Sequence, residues 1–496
     1  MTLGGTLPAR RGDRAPRFAA DPFTLGVASG DPTQGGVVLW TRLADAVVAA
    51  AGDPRAAVPV RWEIAEDDGF RRIALRGDAS AIPELGHSVH VEAEGLQEGR
   101  DFWYRFVAGG VASPVGHTRT ARRSPDRVRF AFASCQDVED GYFSAYRHMA
   151  AEDLDFVVHL GDYIYEVSSR PNTLRPHGLA ETQTLDDYRA RYSVYRSDPD
   201  LQAGHAALPF VMSWDDHDVD NNYASGIPER DQDPVPFALR RAAAYQAYYE
   251  FLPLARRSLP RGTEMGMYRR LAFGDLMSLS VLDTRQYRDD QTCGDRIKPV
   301  CDERGQAGRS MLGAAQEGWL EQGWSEGRAR WNVLANGVMM APLRYVAQGG
   351  VPAYSMDSWD GYPAARQRML DAFASGAVAN PVVLTGDIHS NWVMDLKSRP
   401  DEDDAPVVAT ELAGTSLTTG GDGRDVVEEQ PGMNARNPHV KFYNERRGYV
   451  SCEVSAERMT ARFRSTPVVT ERDGGVRTAA TWVIESGRPG ALRDGA

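Results

Sequence analysis

From Phe23 to about Thr120, apolar and polar residues alternate over short stretches: GGVVLWTRL at 35–43, VPVRWEIA at 58–65, HSVHVEAEGL at 87–96 and DFWYRFVAGG at 101–110. Successive side chains of a strand point to opposite faces, so alternation marks half-buried strands. Turn residues separate these strands at close spacing, which predicts a small β-sandwich over residues 23–120. The polar, Arg-rich stretch HTRTARRSPDR, with Pro125 inside it, then marks a linker before a second domain at 126–470.

Beyond the linker the rhythm changes. VRFAFAS (128–134) and LDFVVHLGD (154–162) are short apolar runs, and GYFSAYRHMAAED (141–153) between them has helical spacing. A strand, helix, strand succession of this kind predicts parallel pairing and an α/β domain. LPFVMSW (208–214), LMSLSVLD (276–283), WNVLANGVMM (331–340) and NPVVLTGD (380–387) have the same character, with helices expected over 236–254, 313–327 and 364–376. Tyr245, Tyr248 and Tyr249 in the first of these helices read as packing residues rather than a ligand cage. Strand-like alternation returns at 407–421 and 448–466. Residues 471–496 read as a tail and residues 1–22 as an extension.

With 496 residues the chain exceeds what one hydrophobic core usually serves, so two domains, or one large domain with an appendage, are expected. A net charge of -13 argues against a sequence-independent grip on nucleic acid, which needs clustered Lys and Arg. No stretch is apolar over the length that spans a bilayer. An Arg10–Arg11 pair is followed by polar, Pro-rich sequence, so no signal peptide is expected in the sequence as written. Cys293 and Cys301 bracket the short polar loop CGDRIKPVC, where a bridge closing a small ring is expected, two free surface thiols being the alternative.

Several apolar runs end in polar residues, at the place where open α/β sheets gather their ligand sites. HLGDYIYE (159–166) puts Asp162 at a strand end, where a hard cation can take its carboxylate. Tyr165 is either a packed tyrosine or a phenolate ligand, the latter only for a strongly Lewis-acidic ion. SWDDHDVDNNYA (213–224) concentrates four Asp, one His and two Asn behind an apolar strand. Such a density of oxygen ligands repels itself without a cation, unless the loop is simply solvated. VLTGDIHSNW (383–392) again sets a Gly-Asp after a strand, and the two-residue spacing lets Asp387 and His389 reach one cluster. Cys135, in AFASCQD, is either a small buried hydrophobe or, beside a ferric ion, a thiolate. Arg285 and Arg288, in LDTRQYRDD, can fork onto phosphate oxygens or pair with Asp283 or Asp289.

The ordered motifs ASCQ, GDYIY, WDDHxVxNN, DTRQYR and GDIH, together with PFTLGVASGDP and VVLWTRL near the amino terminus, resemble the PhoD group of alkaline phosphatases and phosphodiesterases. The resemblance runs over roughly residues 22–470. It implies a four-layer αββα metallophosphoesterase domain of calcineurin-like architecture, preceded by an Fn3/Ig-like sandwich. It implies Fe(III) held by Cys135, Asp162, Tyr165 and His389, with Ca²⁺ through Asp162, Asn221, Asp387 and Asp216. His217 is then the candidate general acid or transition-state stabiliser, and Arg285 the stabiliser of charge on the phosphoryl group. Asp218 stands where many relatives carry Glu, which keeps the charge and shortens the reach. The implied substrate is a phosphate ester, whether a small molecule, a phospholipid or a teichoic-acid-like polymer, and the implied location is secreted or periplasmic. A phospholipase D on the same fold is an alternative, as is a non-catalytic calcium-binding adhesion or carbohydrate-recognition protein.

Overall fold

The strands Arg127–Ala133, Phe156–His159 and Pro209–Met212 pair in parallel and form the centre of a ten-stranded sheet. All four residues of Phe156–His159 are buried, because both faces of the strand are covered. Phe156 and Val158 face one core and Val157 the other, as the two-residue period of a strand requires. This computed structural model describes residues 17–168, 173–229, 233–425 and 432–495; the Arg10–Arg11 pair lies outside them.

A second, seven-stranded sheet is built on the parallel strands Met277–Val281, Trp331–Asn336, Pro381–Thr385 and Val407–Ala413. Phe130, Phe156, Val158 and Val211 of the first sheet share one apolar core with Leu279, Val333, Val382 and Leu412 of the second. The opposite side of the ten-stranded sheet is packed by Tyr146, Tyr192, Leu201 and Phe251, from the helices Ser144–Ala151, Leu185–Arg196, Pro199–Ala207 and Pro234–Phe251. Leu320 and Trp324 of Gly313–Glu326, with Met369 and Phe373 of Pro363–Ala374, join the core on the other side of the seven-stranded sheet. Tyr245, Tyr248 and Tyr249 are buried, Tyr245 stacked on Trp214 and the Tyr248 hydroxyl donating to the Ser213 carbonyl.

The amino-terminal segment makes its own core of Val37, Leu39, Val60, Ile64, Phe102 and Phe106 between two sheets, but one of these sheets is not its own. Val27–Gly30 pairs in parallel with Pro209–Met212, so Val27–Gly30, Gly36–Arg42 and Ser88–Glu94 extend the ten-stranded sheet. The facing sheet orders Ile73–Ala81, Val58–Ala65 and Asp101–Ala108. At the other edge, Arg477–Glu485 and Arg488–Arg493 complete the large sheet, so residues expected to trail as a tail bury Trp482, Ile484 and Ala491 in its core. Cys293 and Cys301 are joined in a disulfide, and the two remaining cysteines, Cys135 and Cys452, are buried.

Candidate metal centre

The parallel strands of both sheets deliver their carboxyl-terminal residues to one place. Cys135 follows Arg127–Ala133, Asp162 follows Phe156–His159, Asp215, Asp216 and His217 follow Pro209–Met212, and Asp387 and His389 follow Pro381–Thr385. The backbone is bent hard there: Cys135, Asp162, Asn222, Asp387 and His389 all have φ between 51° and 63°, the left-handed region that non-glycine residues avoid. Each such residue costs on the order of 1–3 kcal/mol, and the cost is tolerated where a ligand shell needs the direction. Gly161, at φ 115°, makes the turn before Asp162, and a Cβ there would stand 2.3 Å from the Asp215 nitrogen.

Three overlapping groups of donors result: Cys135, Asp162 and His389; Asp162, Asp216 and His217; and Asp215, Asp216 and Asp387. In each group the ligand atoms lie within 4.8 Å of one another. Asp162 belongs to the first two and Asp216 to the last two, the arrangement of bridging carboxylates. Among the described residues, Asp162 Oδ1 is buried without a hydrogen-bond partner, and Asp216 Oδ1 has only a 3.3 Å ion-pair contact with Arg285. Orphaned buried carboxylate oxygens are rare unless a cation takes them. Tyr165 completes the first group, its phenol oxygen 3.1 Å from Asp162 Oδ2, 3.2 Å from His389 Nε2 and 2.8 Å from Thr419 Oγ1.

The electrostatics match. Burial, then Asp162 beside it, pushes the Cys135 thiol well up; burial, then Asp162 and Cys135, does the same to the Tyr165 phenol. The Asp162 carboxyl is raised by burial and by Asp216, and that of Asp387 by burial and by Asp215. In their charged forms these groups would repel one another in a dry place, so the protons stay on unless cations replace them. Burial, followed by Arg447, holds His389 down at about 3, so its ring is neutral as a ligand must be. His217 goes the other way: against burial, Glu166, Asp216 and Asp162 favour its imidazolium. Glu166 Oε2 lies 2.7 Å from His217 Nδ1, which leaves Nε2 as the nitrogen open to a ligand.

Other residues of the motifs hold this frame. Asp218 accepts the backbone N–H groups of Asp162, Tyr163 and Asp215 at 3.0–3.1 Å, so a carboxylate there ties two site turns together. Asn221 donates its backbone N–H to Glu166 and Asn222 donates its own to Asp216. Arg285 does not extend a free guanidinium, and that guanidinium pairs with neither Asp283 nor Asp289, although the Arg285 backbone N–H donates to Asp283 at 3.1 Å. It is fully buried, forked onto Asp215 at 2.6 and 3.1 Å and onto Asp357 at 2.9 Å twice. Arg288 is likewise taken, by Asp357 and Tyr362.

Sequence reasoning did not single out Asp215, Glu166, Asp357 or Thr419. The first two sit inside recognised motifs, in WDD and GDYIYE, and their roles show only as contacts. Asp357 and Thr419 stand in stretches with no local signal and arrive through folding alone.

Comparison with known proteins adds to this geometry. Residues 130–463 match the PhoD-like phosphatase family and residues 8–122 its N-terminal domain. Alkaline phosphatase D of Bacillus subtilis (strain 168) is 47% identical over 498 residues, which cover 99% of this chain and 85% of that protein. A solved structure of PhoD superposes with a TM-score of 0.93 at 47% identity, over 97% of this chain and 94% of that one. Two family matches in sequence order, a near-full-length relative and a common fold agree that the chain belongs to the PhoD-like phosphatase family and is a phosphoester hydrolase.

Proposed function

We propose that the enzyme is an alkaline phosphatase or phosphodiesterase that uses metal-activated water, with Fe(III) bound by Cys135, Asp162, Tyr165 and His389 and Ca²⁺ bound by Asp162, Asp216, Asn221 and Asp387. The observation that carries this reading is the pair of buried carboxylates shared between donor groups, Asp162 and Asp216, each with one oxygen that accepts no hydrogen bond among the described residues. The donor chemistry fits: thiolate and phenolate with a ferric ion, carboxylate and amide oxygens with calcium. Bound cations would supply Lewis acidity, polarising the phosphoryl oxygens and lowering the pKa of a coordinated water.

The chain's own residues then do the rest. His217, oriented through Nδ1 by Glu166, offers Nε2 to the phosphate ester, as a proton donor to the leaving oxygen or as a hydrogen-bond donor to developing charge. Arg285 is a positioning residue, fixing Asp215 and Asp357 and neutralising their charge. We read the two packed sheets with outer helices as the four-layer αββα architecture of metallophosphoesterases, and residues 23–120 as an Fn3/Ig-like sandwich sharing a sheet with the catalytic domain at 126–470. The Cys293–Cys301 disulfide supports a secreted or periplasmic enzyme, since such bonds persist in oxidising compartments. The substrate class is a phosphate ester, small or carried on a phospholipid or teichoic-acid-like polymer.

Elemental analysis of the purified enzyme, paired with turnover of a chromogenic phosphodiester and monoester with and without a calcium chelator, tests the reading. Iron and calcium are expected, with chelator-sensitive hydrolysis. Asp162→Asn is expected to lose metal and turnover together while its circular dichroism stays as in wild type; full activity in that variant would overturn the assignment.

A further inference from the structure

The loop closed by the Cys293–Cys301 disulfide has no part in the mechanism above, yet two lines of contact run to Asp216, one from Asp295 inside it and one from Gln291 just before it. Along the first, Asp295 Oδ2 accepts a hydrogen bond from Asn222 Nδ2 at 2.8 Å, and the Asn222 backbone N–H donates to Asp216 Oδ2 at 2.7 Å. Along the second, Gln291 Nε2 donates to the Asn222 carbonyl at 2.5 Å and to Asp357 Oδ1 at 2.7 Å. Asp357 in turn grips Arg285, which grips Asp215 and lies 3.3 Å from Asp216. Asn222 is thus held at its amide side chain, its carbonyl and its N–H, at a φ of 51° in the left-handed region that Asn enters more readily than most residues with a side chain.

The loop is shaped for this grip at some cost. Cys293, Gly294, Asp295 and Arg296 form a run of four residues with φ of 58–80°, three of them not glycine. A free nine-residue loop would relax such a run. Here the disulfide closes it over a sequence separation of 8, and Ile297–Pro299 anchors it by pairing with Pro352–Ser355, two residues short of Asp357. The Arg296 carbonyl accepts the Met356 N–H at 2.9 Å, next to Asp357 itself.

We propose that Asp295, carried on the disulfide-closed loop, is a positioning residue for the centre: it fixes Asn222, and through Asn222 the Asp216 carboxylate, in the direction that takes a divalent cation. The inference rests on the metal-centre reading for its cation, but the clamp on Asn222 exists without one. Partners beyond the ligand shell that orient a ligand typically change metal affinity about 10- to 100-fold.

The experiment compares wild type with Asp295→Ala, Asp295→Asn and the double variant Cys293→Ser/Cys301→Ser in two measurements. Hydrogen exchange of the Asn222 amide is followed on chelator-treated protein, and Ca²⁺ binding is followed by calorimetry on the same protein. Asp295→Ala and the double serine variant are expected to speed Asn222 exchange and to weaken Ca²⁺ binding by about 10- to 100-fold, with kcat recovering at saturating Ca²⁺. Asp295→Asn, whose amide oxygen still accepts from Asn222, is expected to keep both near wild type. Wild-type protection and wild-type Ca²⁺ affinity in Asp295→Ala would overturn the clamp while leaving the metal reading intact. Wild-type enzyme that takes up no Ca²⁺ would overturn the calcium reading and the clamp's role in cation binding with it.

Discussion

Single side chains at this centre act through charge that burial makes expensive. Arg285 is the clearest example, because its guanidinium is the shared counterion of Asp215, Asp216 and Asp357 and is itself wholly buried. Removing one partner of a buried ion pair leaves charge uncompensated, at about 3–5 kcal/mol. Arg285→Gln is therefore expected to lose stability on that scale in a denaturant titration, besides losing turnover; a variant of wild-type stability would show that the carboxylates are neutralised by something else. His217 is different in kind. It pairs with the buried Glu166 through Nδ1 at 2.7 Å, but its side chain keeps 18% of its exposure and its other nitrogen is left for the substrate. His217→Gln is expected to fold normally and to lose roughly 10²–10⁴-fold in kcat/KM, the range for a missing general acid. Unchanged kinetics would remove His217 from the mechanism.

At the scale of the element, the site is a set of strand ends followed by turns that only one backbone path satisfies. The turn after Phe156–His159 reverses so sharply that Gly161 leaves no room for a Cβ, and its φ would strain any other residue. Gly161→Ala is expected to displace Asp215 and Asp162 together, so metal content should fall along with thermal stability; retained metal would mean that the turn can move without the ligands. Helices behave otherwise. Leu185–Arg196 begins with a capping box in which Thr184 and Asp187 satisfy each other's backbone N–H groups, and Pro199–Ala207 with Asp198 as cap and Pro199 at its first position. Both start signals are written in TQTLDD and SDPD. Neither helix was foreseen, because the apolar spacing after these caps is weak: Leu185–Arg196 packs through tyrosines and arginines, and Pro199–Ala207 buries only Leu201, Gly204 and His205.

The whole molecule couples its stability to pH through a buried histidine outside the donor groups of the metal centre. His439 is 5% exposed, its Nε2 is 2.8 Å from the Pro342 carbonyl, and burial brings it down to about 4. Its folded value lies below the unfolded one near 6.5, so between those two values the unfolded chain binds the extra proton. The stability that His439 contributes is complete above about pH 6.5 and is lost as the pH falls toward about 4. Wild type should thus lose unfolding free energy more steeply than His439→Gln over that window, in paired denaturation curves at pH 7 and pH 5; parallel losses would mean that the ring is protonated in the fold.

What the sequence determined by itself was whatever is local. The apolar runs located the central strands of both sheets, and the polar residues at their ends pointed to Asp162, Asp216, Asp387 and His389, while Cys135 entered as a ligand only through the family resemblance. Two cysteines eight apart on a polar loop announced their bond. Tertiary structure alone decided what depends on distant neighbours. Val27–Gly30 joins the ten-stranded sheet because Ala28 finds cover in the core under its helices while Val27 packs into the core of the amino-terminal segment. Ile73–Ala81 is a strand despite Gly77, whose bare backbone gives room to the Trp62 ring. The last strands close an edge that no downstream sequence could reveal. Asp357 reaches Arg285 across 72 positions, and Thr419 reaches Tyr165 across 254. Side-chain period and strand ends are properties of a few consecutive residues, whereas counterions and bridging geometry are properties of packing, which no window along the chain contains.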